Sequence, residues 1–481
     1  MRHNFKEVIL AMMRSLFAGV AGLKTHQTRM DVIGNNIANV NTTAYKSQSM
    51  VFSDLMYQTT RAASGANATT GVGGVNARQI GLGSKTSSIK TAIASQGAAQ
   101  STNDPFDIMI NGSSFFVVNN GQENFFTRDG SFYIDGAGNL VMTSTGYNVM
   151  GWGVNEETGE IQKGNVQPLK IMTTENMISP PQVTTDATID GIIDRFDTDL
   201  ETDEGRIMNL EFFDNQGYKF TAQFSVHPDD AEKGTFIVCL DKIKDASGKE
   251  VYGAGDANAA TFGGAITSKD GTAYTNAVYL NFKEGKGTFL GVGNSATATD
   301  KTATLKLPSP NFTSEAGELP TGKNSNEIVI DFTGCLNYNK NGTSTMGALA
   351  GDPKGLGAGL KTGEMSGVTV QKDGKIYATY DNGQSKLLGQ IAAANFANPS
   401  GLAKQGDNLY SATMNSGEFD GVGDDITADG GYMESGVLEM SNVDLSAEFT
   451  EMITTQRGFQ ANSRIITVSD TLLEELTNLK R

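Results

Sequence analysis

The sequence predicts a mixed, multidomain fold. An α-helix stands at each end, the two paired in a coiled-coil-like manner, with all-β domains nested between them in an out-and-back topology. Three observations carry this expectation. Apolar residues recur at four–three spacing at both extremes, and short apolar runs separated by Asn-Gly and Asp-Gly fill the middle. Glycine is abundant where proline is scarce, 57 against 10, which favours tight turns over stiff linkers. At 481 residues the chain has room for about three domains. Three sequential domains would satisfy the same composition.

The N-terminal stripe runs through Leu16, Val20, Leu23, Gln27, Met30, Gly34 and Ile37. Gly34 and Ala38 lie four apart, so a second backbone could approach that edge closely. Asn35, Asn36 and Asn39 carry amides that fix geometry once buried and bonded. Taken alone, this is also the pattern of an ordinary amphipathic core helix. At the other end, Ser441-Asn442-Val443-Asp444 offers an N-cap and an early acid. Leu445, Phe449, Met452, Gln456, Phe459, Ser463 and Ile466 then hold the same spacing, and Ala461, Ile465, Val468, Leu472, Leu476 and Leu479 form a second stripe. Two offset stripes exceed what one neighbour covers. The helices are therefore expected to pair with each other and to leave apolar surface for further subunits, as in a polymer.

Between the helical segments, 12–58 and 433–481, the reading divides the chain into four parts. A Gly-rich connector spans 59–84, extended and poor in apolar residues. One β domain has its outgoing part at 85–170 and its return part at 335–432, with a second β domain at 171–334. Phe115–Val118, Phe125-Phe126, Phe132–Ile134 and Leu140–Met142 read as strands, and Asn111-Gly112, Asn120-Gly121, Asp129-Gly130 and Asp135-Gly136 as the hairpin turns between them.

Chemistry is hard to find. The formal charge of −17 argues against condensation on nucleic acid. Cys239 and Cys335 form no metal-ligand spacing, and the three histidines, His3, His26 and His227, suggest neither a metal cluster nor a nucleophile triad. The stretch Gly317 to Lys323 nearly spells a phosphate loop, but Pro320 interrupts it and Asn324 replaces the magnesium-binding hydroxyl. Asp420, Asp424 and Asp425 lack calcium-loop spacing. No apolar run reaches the roughly 18 residues of a membrane helix, and Arg14 interrupts the run that could start a signal peptide. No cofactor, no metal and no catalytic residue is expected. The codons of Lys6-Glu7-Val8 can spell a ribosome-binding sequence, so translation is expected to begin at Met12 or Met13.

The terminal motifs resemble a known family. Leu16 to Leu23, Asp31 to Asn39 and Thr43-Ala44-Tyr45-Lys46 are similar to the N-terminal signature of bacterial flagellar rod and hook proteins. Ser441 to Ser446, Met452-Ile453 and Gln456 to Asn462 are similar to their C-terminal signature. Inside, Pro105 to Gly112, Phe115-Phe116, Phe126 to Gly130, Leu388 to Ile391, Ala394 to Ala397 and Gly401 to Asn408 resemble the inner β domain of the hook members, whose interiors are longer than those of rod proteins.

The resemblance implies that the β domain at 85–170 and 335–432 is inner and that the one at 171–334 is outer and variable. It implies a structural subunit, not an enzyme, that polymerises into a curved flexible tube. That tube acts as a universal joint, passing motor torque to the filament and enclosing the export channel. Partners implied are further copies of the chain, the distal rod protein, the hook cap and hook–filament junction proteins, and the flagellar type III export apparatus, with no membrane insertion. The implied location is the extracellular hook, attached to the basal body. The helix-packing residues would be Leu16, Val20, Leu23, Met30, Gly34, Asn35, Asn36, Ile37 and Asn39, with Leu445, Phe449, Met452, Gln456, Phe459, Ile466, Leu472 and Leu476. A distal-rod or hook-associated axial protein is the alternative within the family; a secreted β-rich adhesin is the alternative outside it.

Overall fold

The computed structural model describes residues 2–65, 71, 73–155, 158–253, 260–307 and 326–478. Most of the structure is β-sheet, with one long helix at each end, Arg2–Ala38 and Leu445–Asn478. The cap anticipated at 441–444 is Asp444, whose Oδ1 accepts from the amides of Ser446 at 2.8 Å and Ala447 at 3.2 Å. Among the described residues no helix is long and apolar enough to cross a membrane.

The chain divides into two compact units. The first comprises 1–173, 368–378 and 386–481. Its first strands are Gln48–Asp54, antiparallel to Ser84–Thr91, and Tyr57–Arg61, antiparallel to Arg78–Gly81. The segment read as a connector thus has paired flanks, although part of it, 66–70 and 72, lies outside the described residues. Tyr57–Arg61 is exposed at every position, so it carries none of the alternation that reveals a strand.

Beyond it, Phe115–Asn119 and Asn124–Thr127 form a hairpin across Asn120-Gly121, with Gly121 at φ 95°. Strands from the far end of the sequence pair with early ones: Gly151 with Ile391, Tyr410 with Phe126, Met433 with Ile110 and Leu438 with Gln100. The core is aromatic, with Phe126 edge-on to Phe396 at 4.7 Å and Phe116 to Phe132 at 5.0 Å.

Asp129-Gly130 does not make the hairpin turn that was expected. Gly130 is needed for space: a Cβ there would stand 1.6 Å from the carbonyl oxygen of Ile108. The Ile108 amide donates to the Gly130 carbonyl at 2.9 Å, which draws the two backbones together.

The second unit comprises 174–367 and 379–385, so its boundary falls later than the expected 334. The strand Glu327–Asn337 runs through that position, parallel to Asp186–Ile193, and Gly347–Ala350 pairs with Asp186–Ile193 from the other side. The glycine-rich stretch beyond, expected to belong to the return part of the inner β domain, folds back onto the strand entrance, where the Gly357 carbonyl accepts from the Thr185 amide at 2.9 Å. Two sheets, of five and seven strands, bury Phe212, Phe224, Phe236, Phe262 and Phe332. Along Arg206–Phe213 alternate side chains turn inward, the period-two pattern of a half-buried strand. Cys239 and Cys335 are buried free thiols, each pushed up to about 12 by burial.

Gly130→Ala is expected to lower stability by roughly 3 kcal/mol, read as an earlier urea midpoint. Gly136→Ala, whose Cβ meets nothing within 4 Å, should leave that midpoint nearly unmoved.

Candidate functional site

After the N-terminal helix the chain turns through Thr42 and takes Ala44 at φ 55°, a left-handed conformation unusual for alanine. The Ala44 amide donates to the Glu439 carbonyl at 2.8 Å. Two residues on, Lys46 Nζ meets Glu439 Oε1 at 2.6 Å and the Ser95 carbonyl at 2.7 Å. The Gly97 amide donates to the same carboxylate oxygen at 2.8 Å, and Arg128 Nη1 stands 3.6 Å from the other. All three charged side chains are essentially buried. Burial pushes the Lys46 ammonium down, and its attraction to Glu439 opposes that. A charge held this deep persists only when paired, so each member is stranded if another is lost.

Amides surround this ion cluster. Asn408 Nδ2 donates to the Thr43 carbonyl at 2.8 Å, and Lys404 lies 5.0 Å over the Tyr45 ring. Asn442 Oδ1 accepts from the Ser47 amide at 2.7 Å while its Nδ2 reaches the carbonyls of Ala92 and Ser95. Tyr45 donates to Asn36 Oδ1 at 3.2 Å, and Asn36 Nδ2 donates to Glu448 Oε1 at 2.8 Å. The segments 43–46, 126–130, 401–408 and 441–446, distant in sequence, therefore meet at one polar node between the helices and the sheet of this unit.

Above the node the two terminal helices touch along a seam of small and polar residues. A Cβ on Gly22 would stand 2.7 Å from Asn462, and one on Gly458 would stand 2.7 Å from His26. Each helix therefore sets a side chain into a glycine notch of the other. Arg29 Nη2 meets Glu451 Oε2 at 3.0 Å, and Ser15 and Ser469 share a hydrogen bond at 3.4 Å. Thr25, Ile33, Asn36, Thr455 and Ser469 are buried. Sequence reasoning followed large apolar residues and missed this seam. The usable signal was Gly19, Gly22 and Gly458, small residues on otherwise ordinary helices.

The expected packing residues fall in several environments. Asn36 is buried, while Leu16, Leu23, Met30, Ile37, Asn39, Met452, Phe459 and Ile466 are partly buried. Val20, Gly34, Asn35, Leu445, Phe449, Gln456 and Leu472 are exposed, and the Leu476 side chain lies outside the described residues. Met13, Phe17 and Val20 make one uncovered apolar stripe. On the C-terminal helix Leu445, Phe449 and Ile453 make a second, and Ile465, Val468 and Leu472 a third.

Among the described residues no cluster of His, Cys, Asp or Glu could hold a metal. The acids at 420–425 are occupied locally. Asp420 accepts from the Val422 amide, and Asp425 caps a short helix and binds Lys163 at 2.8 Å. The near-phosphate loop at 317–323 lies outside the described residues.

Glu439→Gln should cost roughly 3–5 kcal/mol in urea denaturation, because Lys46 and Arg128 would stay buried without their anion. Replacing all three together by Met, Met and Leu should recover much of that loss. His26 is held below its ordinary 6.5 by burial first and the Arg29 charge second. Its contribution to helix pairing is therefore complete above pH 6.5 and is lost as pH falls below that value. Protection factors of the amides along 15–36, with the intrinsic pH dependence of exchange divided out, should fall between pH 7 and 5, and His26→Gln should flatten the change.

Three family models match the chain: flagella basal body rod protein over 16–46, flagellar hook protein FlgE/F/G D1 domain over 109–192, and flagellar basal body rod FlgEFG protein C-terminal over 434–479. The flagellar hook protein FlgE of Treponema pallidum is 34% identical over 488 residues, covering 98% of this chain and all of its own. That of Borreliella burgdorferi is 35% identical over 481 residues, with the same coverage. The flagellar basal-body rod protein FlgG of Bacillus subtilis, also covered whole, is 27% identical over 470 residues. By this end-to-end likeness the chain belongs to the flagellar hook protein FlgE family.

Proposed function

We propose that this chain, a structural subunit of the bacterial flagellar hook, polymerises into a curved flexible tube that encloses the export channel and passes motor torque to the filament. The observation that carries this reading is the set of three apolar stripes left uncovered on the terminal helices. Isolated exposed apolar side chains are ordinary, but aligned stripes at helical spacing mark surfaces that another chain covers. The stripes differ between the two helices, so one copy's surface is not its own mirror. Contact between unlike surfaces gives head-to-tail association, which generates rings or helical polymers instead of closed pairs.

In this reading the helix pair is coiled-coil-like and forms the inner tube. The pairing of late strands with early ones supports an out-and-back chain, with the unit at 174–367 facing outward. Leu16, Leu23, Asn36 and Ile466 would serve the pair within one chain, and Val20, Phe449 and Leu472 the contacts between chains. Further partners are the distal rod protein, the hook cap and junction proteins and the type III export apparatus.

Phe449→Asp or Leu472→Asp should abolish tube formation seen by electron microscopy, because each places a charge on an apolar contact. The circular dichroism of the soluble subunit should be unchanged, and normal tubes from either variant would overturn the assignment. Antibody to 174–367 should decorate the short curved segment of the flagellum by immunogold. Label on the rod, at the filament junction or across the cell surface would favour a paralogue or an adhesin.

A further inference from the structure

We propose that the second compact unit carries a cleft for an anionic carbohydrate. The cleft encloses about 320 Å³, at the lower end of the ~300–1,000 Å³ range of ligand sites. It lies where the parallel strands Asp186–Ile193 and Glu327–Asn337 both end, and where the turns at 231–234 and 283–287 return. Loops carried on the end of a sheet scaffold are a common place for binding residues.

The cradle is tightly built. Asp194 Oδ2 accepts from the amides of Lys340 at 2.7 Å and Gly342 at 2.9 Å, and its Oδ1 accepts from Phe196 at 3.0 Å. That carboxylate is committed to holding the loop, and the amides that bond it keep it ionised. Gly287 accepts from the Asn337 amide at 2.8 Å, and a Cβ at Gly287 would stand 2.0 Å from the Asn337 carbonyl. The two loops are therefore joined backbone to backbone.

Four cations converge on this cleft in a chain of net charge −17: Arg195, Lys233, Lys283 and Lys286. Lys233 has Asp230 at 3.8 Å, whereas Lys283 and Lys286 make no ion pair among the described residues. Asp194, Glu232 and Glu284 share the lining, so four cations face three carboxylates; the excess of one suits a single negative charge and disfavours a dense polyanion such as nucleic acid. The large phenylalanines of this unit's core are fully buried, yet Phe196 is 65% exposed here and Tyr338 42%.

Arg195 covers one face of Phe196 at 4.6 Å; the rest of that exposed ring and Tyr338, beside lysines and the Asn339 amide, match three features of an acidic sugar. Its C–H face packs on the rings, its hydroxyls bond the amide, and its carboxylate or sulfate meets the ammonium groups. A flat apolar partner would have no use for the lysines, and a bare inorganic anion none for the rings.

The test titrates the full-length soluble subunit with galacturonic acid tetramer and with the neutral galactose tetramer, followed by calorimetry and chemical-shift mapping. The acidic tetramer should bind with a dissociation constant of about 0.1–1 mM, and the neutral one at least about tenfold more weakly. Lys283→Gln with Lys286→Gln, and separately Phe196→Ala, should each weaken binding roughly tenfold while circular dichroism is unchanged. Equal binding of both tetramers, no binding of the acidic one, or wild-type affinity in both variants would overturn the proposal. So would full competition by inorganic sulfate at equal concentration, which would leave a simple anion site. If the lysine variant alters only self-association in sedimentation, the cleft belongs to an acidic segment of a second copy and the carbohydrate assignment fails.

Discussion

A carboxylate buried between two cations governs this subunit. Glu439 is fully enclosed, and the charges of Lys46 and Arg128 together with the Gly97 amide make that tolerable. The three charged residues come from the segment leaving the N-terminal helix, from the sheet and from the strand entering the C-terminal helix. Satisfying one charge therefore brings three remote parts of the chain to a common point. The amides of Asn36, Asn408 and Asn442 complete the arrangement by bonding backbone groups that would otherwise be buried unpaired.

The helices rooted at that node are joined to each other mainly by glycine notches, serines, a histidine and an exposed ion pair. An exposed ion pair contributes only about 0–1 kcal/mol. The large apolar residues divide: Ile466 packs toward Gly19 across the seam and Leu16, Leu23 and Met30 are partly buried, whereas Phe17, Val20, Phe449, Val468 and Leu472 stand exposed. In the proposed tube, pairing within one chain and apolar association between chains would use different faces of the same helices, and the acidic charge would oppose association elsewhere.

Much of this was legible in the sequence. Both helices, a cap within 441–444, the Asn120-Gly121 hairpin and the terminal motifs all rest on local patterns. The seam was not legible, because periodicity weights large apolar side chains and Gly22, Asn462, His26 and Gly458 have none to count. The ion cluster was hidden for a different reason: Lys46 and Glu439 are separated by 393 positions, and no local pattern pairs them. The second unit's later boundary was not legible because the glycines at 351, 355, 357 and 359, turns with positive φ, carry no strand pattern that assigns them to either β domain. Gly130 shows the converse: a glycine read as a turn is there for close backbone approach.

The two reciprocal notches have a mechanical consequence. Asn462 seated over Gly22 and His26 seated over Gly458 interlock like teeth, so neither helix can creep along the other by a fraction of a turn. The next comparable seat would require a full turn of about 5.4 Å, with both teeth withdrawn at once. Each helix pair therefore behaves as a strut of fixed length. If the proposed curved tube is built from such struts, the shortening on its inner side and the lengthening on its outer side as it turns would fall between neighbouring subunits.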